Sequence, residues 1–417
     1  MIATDSSIPP REGGGTAGLC ACPECGLVQR RASLLPRQIA CCGRCGAELY
    51  GFSAGGLDRP LALASAAAIL FLLANCFPVL GLDIKGRHAE ATLVEAALQL
   101  RSHDMSLVAG LVLFTTVVIP ALELLGLLYV LAPLRLQLRM PGQVAVYKLI
   151  HRLQPWSMIE VFLLGALVAL VKLAHTAVIT PGWSLWLLGG FVVLSAATAA
   201  SLHPEEIWTG LADGTRSVPA AGALCRCHDC GWLAPGRRCP RCGSELHGRK
   251  PDSIARSWAF LIAAALLYLP ANLLPVMYTG SLGGIQSDTI LSGVVFLWLS
   301  GSWPLALVVF VASIMVPMLK LASLALLLIS VQLRSRWRPR DRTRLYRVTE
   351  LIGRWSMVDI FAVTMLVSLV NLRPLASVDA GAGAIAFGAV VVLTMLAAET
   401  FDPRLIWDAM AEEEHGS

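Results

Sequence analysis

Charge is what this 417-residue chain has least of: 15% of its residues are Asp, Glu, Lys or Arg, against 56% hydrophobic. Soluble domains carry about 25% charged residues, so the composition excludes one and points to a membrane protein. No G-x-x-x-x-G-K-[ST] occurs, which excludes a P-loop and gives no sign of ATP hydrolysis. No H-E-x-x-H occurs either; His203-Pro204-Glu205-Glu206 lacks the second His. Gly51-Phe52-Ser53-Ala54-Gly55 matches the nucleophile pattern G-x-S-x-G, but it lies between a cysteine cluster and an apolar run rather than on a strand-to-helix turn. It is read as a chance match, and no enzyme is expected. The first 60 residues hold no apolar stretch of the secretory-signal kind, so the N-terminus is expected to stay in the cytosol.

What the chain does have is a repeat. Trp156-Ser157-Met158-Ile159-Glu160-Val161-Phe162 returns 199 residues on as Trp355-Ser356-Met357-Val358-Asp359-Ile360-Phe361. In each copy the Ser and the acid three residues later have capping-box spacing, which suits a helix start. Asn75-x-x-Pro78 matches Asn272-x-x-Pro275, and Pro120 followed by Glu123 matches Pro317 followed by Lys320. A cysteine cluster precedes each cassette.

Eight of the twelve cysteines form four C-x-x-C pairs. In a reducing compartment that pattern reads as metal binding rather than a disulfide framework. Zinc needs four soft ligands in a tetrahedron, and two such turns supply them. The expected ligands are Cys22, Cys25, Cys42 and Cys45 in one ribbon of short strands, and Cys227, Cys230, Cys239 and Cys242 in the other. The Gly after each second Cys permits the positive φ that the turn requires. Each ribbon should hold one structural Zn²⁺, because a closed four-thiolate site has no open position for chemistry. Cys20, Cys41 and Cys225 are left outside the sites, and Cys76 is read as packing. Arg30, Arg31, Arg37 and Arg44 raise a nucleic-acid reading of the first ribbon, which attachment to a membrane bundle makes minor; no nucleic-acid partner is expected.

Eight apolar runs, about 61–80, 106–132, 158–180, 183–201, 256–276, 303–331, 357–375 and 383–400, are near or above the ~20 residues that cross a bilayer. The expected organisation is a disordered N-terminus (1–18), ribbon one (19–58), membrane module one (59–208), ribbon two (209–250), membrane module two (251–408) and an acidic tail (409–417). The fold class is an all-α membrane protein of two four-helix bundles, each preceded by a small β zinc ribbon. Pro120, mid-way along its run, should kink the helix. Residues 88–101 should form a helix lying at the interface or packing on the bundle, with Leu93, Val94, Ala97 and Leu98 on one face. Of 33 Lys and Arg, 27 fall in 1–60, 133–157, 202–257, 332–356 and 401–417. The positive-inside rule therefore makes both ribbons and both termini cytoplasmic, and four spans per cassette make the halves parallel repeats.

Ionisable groups inside spans are costly and by default face the bundle interior or a wet cavity. Glu123 lies about 14 Å from the cytoplasmic end of its helix, and Lys320 is similarly deep. Lys172 and His175 share a face in the third span, where the second cassette has Asn371 at the Lys172 position. These five are the candidate intramembrane polar or lipid site, built by two unequal halves, with Lys172 or Lys320 placed to hold a lipid phosphate; the alternative is a structural polar pair between helices, with Lys172 reaching outward. Glu160 and Asp359 are read as caps.

The W-S-M-[IV]-[ED]-[IV]-F element, the duplicated C-x-x-C modules and the N-x-x-P spans together resemble the PqiA (paraquat-inducible protein A) family of LetA-like integral membrane proteins, over about residues 19–408. The resemblance implies a multi-pass inner-membrane protein of a Gram-negative bacterium with tetraspanin-type four-helix modules. It also implies a periplasm-spanning MCE-domain partner, and movement of phospholipid-like amphiphiles between the inner membrane and that partner in support of envelope integrity. A membrane-anchored zinc or redox sensor, and an ion or proton channel, are the alternatives.

Overall fold

The computed structural model describes residues 18–35, 38–51, 56–84, 87–101, 105–173, 178–211, 224–281, 284–301, 303–369 and 376–414. The expectations for the N-terminal segment 1–17, Arg37, most of the G-x-S-x-G match, His175 and Asn371 lie outside these residues. The first ribbon is two hairpins, β1 (Leu19–Ala21) with β2 (Val28–Arg30) and β3 (Ile39–Cys41) with β4 (Glu48–Gly51). Then come α1 (Asp58–Cys76), β5 (Leu80–Ile84), β6 (Arg87–Ala91), α2 (Leu93–Arg101), α3 (Ser106–Leu113) and α4 (Ile119–Arg135). The first half ends with α5 (Gln143–Leu153), α6 (Ile159–Leu173), β7 (Val178–Pro181), α7 (Trp183–Ser201) and α8 (Pro204–Leu211). The second ribbon pairs β8 (Leu224–Arg226) with β9 (Leu233–Pro235). The second half repeats the order with α9 (Ser253–Leu273), β10 (Met277–Ser281), β11 (Gly284–Asp288), α10 (Ile290–Leu299), α11 (Trp303–Phe310) and α12 (Val316–Gln332). It closes with α13 (Pro339–Gly353), α14 (Val358–Leu369), β12 (Ala376–Ala380), α15 (Ala382–Thr400) and α16 (Leu405–Glu414), so the acidic tail is helical to Glu414.

Among the described residues, seven stretches are long and apolar enough to cross a membrane: 58–76, 106–135, 143–170, 183–201, 253–273, 306–332 and 382–400. The eighth expected run, 357–375, corresponds to the shorter α14, followed by residues outside the description. The outer ends of the expected spans are not helical. Leu80 begins β5, and Val178–Pro181 pairs with it, so β5 is central to a β6-β5-β7 sheet; β11-β10-β12 is its copy. The second half leaves where it returns, since Ser253 Oγ donates to Thr400 O and Lys250 N donates to the Asp402 carboxylate.

The repeated motifs act at joints. After Asn75, Pro78 cannot continue α1, and the chain turns extended at Phe77. The Pro78 carbonyl accepts from Ser184 N, and Ser184 Oγ caps the orphan Ala74 carbonyl at 2.6 Å. A Cβ on Gly182 would lie 2.1 Å from Pro78 O, and one on Gly381 2.2 Å from Pro275 O, so only glycine fits either joint. The expected kink at Pro120 takes the form of a π turn, Phe114–Val118, matched by Val311–Met315 before Pro317. A wider turn lets the backbone step past a proline that has no N–H to give.

Two expectations are corrected. The helix 88–101 is instead strand β6 followed by α2, and its buried face is Leu93, Ala96, Ala97 and Leu100, with Leu98 exposed. This is i, i+3, i+4, i+7 spacing, because α2 packs on α14 of the other half. Capping boxes occur at Thr92–Glu95 and Thr289–Ser292. In the repeated element Ser356 Oγ instead donates backward to Gly353 O, because a 3₁₀ turn runs straight into α14 and leaves no helix start to cap.

One core runs through both bundles. Phe162 and Phe361, the last residues of the repeated element, meet edge to face at 5.6 Å where α6 crosses α14. A Cβ on Gly165 would be 2.7 Å from Phe361 Cβ, so the two backbones touch closely there.

Candidate metal centres and a polar cleft

Each C-x-x-C turn is built the same way. The Cys22 carbonyl accepts from Gly26 N while Cys22 N donates to Leu27 O, and the pattern recurs at Cys42, Cys227 and Cys239. The glycines that close the turns have φ between 70° and 74°, as the knuckle requires. The four turns gather Cys22, Cys25, Cys42 and Cys45 into one buried cluster and Cys227, Cys230, Cys239 and Cys242 into another, with ligand atoms within 4.8 Å of one another. Sulfur pairs stand 3.4 to 3.5 Å apart. A metal 2.3 Å from each of four sulfurs would set them about 3.8 Å apart, so the clusters fit a tetrahedral ion. Hydrogen bonds from neighbouring thiols, Cys22 first and Cys227 first, drive Cys42 and Cys242 well below the ordinary thiol range. Cys20 bonds instead to Gln29 O, and Cys41 is exposed.

The ribbons are exchanged between the bundles. The first ribbon's cysteines pack with Leu324, Tyr346, Phe401 and Trp407 of the second half, and the second ribbon's with Leu127, Tyr147 and Trp208 of the first. Ion pairs secure each contact. Arg347 of α13 forks onto Glu24, with Nε 2.7 Å from Oε2, and also donates to the Cys45 carbonyl. At the repeat-equivalent place, Lys148 of α5 donates to the Cys242 carbonyl at 2.6 Å and to Ser244 Oγ, with Asp229 4.0 Å away. Sequence reading passed over all four residues. Aligning the repeats pairs Lys148 with Arg347 and Glu24 with Asp229, and that charge pattern was the available signal.

The intramembrane candidates separate. Glu123 lines a cleft of about 280 Å³ whose walls all come from the first half. Leu124, Leu127, Ile150 and Phe191 line it with apolar groups and His151, Gln154, Ser157, Glu160, Ser195 and Thr198 with polar ones; among the described residues no Lys or Arg lines it. Glu160, expected as a cap and found in the first turn of α6, also lines this cleft. Lys320 is absent from its walls. It lies 4% exposed in α12, its Nζ where a Cβ on Gly353 would be 2.8 Å away, and Nζ has no hydrogen-bond partner among the described residues. Gly353 occupies the place of Gln154, and the pair Ser323–Thr349, 2.9 Å apart, occupies that of Gly126–Ile150. The second half is thus packed where the first is open. Lys172 sits on α6 near its outer end. Among the described residues Glu123 and Lys320 line no common pocket, and the small cavity of about 10 Å³ between the halves, walled by Leu100, Val108, Ile360 and Phe387, includes neither.

The family model described as Paraquat-inducible protein A matches residues 57–212 and 254–411, one copy per half. The chain is similar to the Intermembrane transport protein PqiA of Escherichia coli (strain K12), 36% identical over 409 residues, 94% of this chain and 96% of that one. It is 32% identical over 391 residues to the Lipophilic envelope-spanning tunnel protein A of the same organism, covering 93% and 91% of the two chains. A Probable intermembrane transport protein of Haemophilus influenzae is 28% identical over 405 residues, 94% and 96% of the two chains. No solved structure matches the chain.

Proposed function

The chain belongs to the paraquat-inducible protein A family, and from that premise we propose that it is the inner-membrane subunit of a lipid transport system, moving phospholipid-like amphiphiles between the inner membrane and a periplasm-spanning MCE-domain partner. The cleft at Glu123 carries this reading: a cavity inside a membrane bundle lined by both apolar and polar side chains. At about 280 Å³ it is at the lower end of ligand pockets, the size of a headgroup or part of an acyl chain. Glu123 and Glu160 on its walls favour the hydrogen-bond donors and cationic part of an amphiphile over its phosphate. The phosphate falls to Lys172 or Lys320, outside the cleft.

The ribbons face the cytoplasm in this reading, because 27 of 33 basic residues lie on their side of the spans. Their metal is Zn²⁺, one per ribbon, closed to chemistry and serving the fold. A sensor would need an open coordination position, whereas four buried sulfurs in each cluster fill a tetrahedral ion's coordination.

The test is Glu123→Gln, Lys172→Met and Lys320→Met, each scored for protein level and for delivery of labelled phospholipid to the periplasmic acceptor. Normal abundance with failed delivery in Glu123→Gln supports the cleft. Losses that merely track protein level in all three variants make these residues structural and move the site elsewhere. Purification from native membranes with no bound phospholipid and no periplasmic partner would refute the reading as a whole.

A further inference from the structure

The turn that leads from α12 to α13 is charged in a way that its repeat is not. Residues 333–344 hold Arg334, Arg336, Arg338, Arg340, Arg342 and Arg344 against a single acid, Asp341. The corresponding residues 136–145 of the first half hold one arginine, Arg139, among Leu136, Leu138 and Met140. Five of the six arginines are exposed. Arg342 is the exception: 3% exposed, it donates to Ser335 O at 2.6 Å and fastens the turn to α13. Arg340 donates to the Arg44 carbonyl of the first ribbon at 2.8 Å, which puts the stripe on the ribbon side of the spans. Its other end is fixed by α12, whose apolar stretch runs to Gln332. The first arginine is thus two residues past the end of a span, at the depth of the lipid headgroups.

Two further features suit a membrane surface. Leu333 and Trp337 are 75% and 65% exposed in the same turn, and the Arg338 guanidinium stands over the Trp337 ring at 5.9 Å. Tryptophan favours the interface, where its ring meets acyl chains and its N–H meets water. The backbone gives the second. The residue before α5 is Gly142, with φ 77°, a conformation that glycine adopts freely. The residue before α13 is Arg338, with φ 40°. An arginine held in the left-handed region, where the first half has glycine, points to a use for its side chain that outweighs the strain. Guanidinium groups fork onto phosphate oxygens, and basic side chains beside a span attract an anionic membrane surface. We propose that residues 333–344 dock the anionic phospholipid headgroups of the ribbon-side leaflet, a surface that the corresponding turn of the first half lacks. The proposal is independent of the cleft at Glu123 and of what the protein transports.

The test uses the full chain in phosphatidylcholine nanodiscs, into which brominated phosphatidylglycerol or brominated phosphatidylcholine is titrated. Bromine on the acyl chain quenches a tryptophan that it touches, and subtracting the emission of Trp337→Phe isolates Trp337 from the remaining tryptophans. Phosphatidylglycerol should quench Trp337 at a several-fold lower mole fraction than phosphatidylcholine. Arg336→Gln with Arg338→Gln should raise the phosphatidylglycerol fraction required by about 5-fold for each charge removed, the ratio expected for a basic residue near an anionic surface. Quenching by phosphatidylcholine should not change. Arg336→Lys with Arg338→Lys should keep most of the preference. Arg30→Gln with Arg237→Gln, an equal loss of charge on the ribbons, should leave it intact, which a general attraction between a basic face and an anionic membrane would not. Equal quenching by the two lipids in the wild-type chain overturns the proposal, as does a ribbon variant that loses the preference as fully as the turn variant. Binding of an RNA oligonucleotide or an acidic peptide that is lost in Arg336→Gln with Arg338→Gln, while the lipid preference persists, would assign the turn to that partner instead.

Discussion

In the first bundle Glu123 faces a cleft of about 280 Å³, and at the same place in the second Lys320 is enclosed against Gly353. The two halves share every backbone device around those residues: the π turn, the proline after it, the Asn-x-x-Pro joint and the glycine that receives it. They differ in the side chains that fill the bundle. Gly353 in place of Gln154, which lines the cleft, removes a polar wall and lets Lys320 Nζ close onto the backbone there. The duplication thus kept its joints, where backbone geometry admits few residues, and diverged where side chains decide between cavity and core. An open half beside a packed half follows from that difference.

The exchange of ribbons turns this comparison into a test. Cys227→Ser with Cys230→Ser should abolish metal at the second ribbon, removing on the order of 10–16 kcal/mol of apparent metal-binding energy. Because that ribbon docks on Tyr147 and Trp208, hydrogen exchange should rise in α5 and α8 of the first bundle more than in α13. Cys22→Ser with Cys25→Ser should do the reverse, loosening α13 and α16. If each lesion loosens the bundle that follows it in sequence, the exchange is wrong.

The buried lysine gives a smaller effect of opposite sign. An unpaired ammonium inside a span costs at least ~2.5–3.5 kcal/mol, so Lys320→Met should raise the thermal midpoint. Glu123→Gln, beside a cleft, should leave the midpoint within about 1 °C. Equal shifts in the two variants would erase the distinction between a packed half and an open one.

The smallest effect concerns the two clamps. Arg347 forks onto Glu24, whereas Lys148 makes point contacts with Cys242 O and Ser244 Oγ. Arg347→Lys should therefore cost about 1–2 kcal/mol, and Lys148→Arg less than about 1, read from chelator-free thermal melts. A larger loss for Lys148→Arg would mean that the fork does not matter.

Much of the molecule is local and was legible as such. The cysteine knuckles depend on two cysteines three apart and a glycine free to take positive φ, all within six residues. The spans depend on apolar runs of sufficient length, and the duplication on the repeated Trp-Ser-Met element. The capping boxes were equally local, but Ser157 and Ser356 had the same spacing as Thr92 and Thr289. Only the preceding turn decides whether such a serine caps a helix or bonds backward, as Ser356 does to Gly353.

What tertiary structure alone decided was partnership. Leu80–Ile84 is a strand because Val178–Pro181 and Arg87–Ala91 flank it, and the first of those is about a hundred residues away. The face of α2 is set by α14 in the other half, so periodicity within 93–101 could show that a face exists but not which residues line it. Chain order places each ribbon before one bundle, yet Arg347 and Lys148 hold it to the other, because a linker of several residues leaves open which neighbour a domain reaches. Glu123 and Lys320 are both single charges in apolar runs. That one meets a cleft and the other a glycine follows from Gln154 and Gly353, some thirty residues on, brought alongside by the packing of α4 on α5 and of α12 on α13.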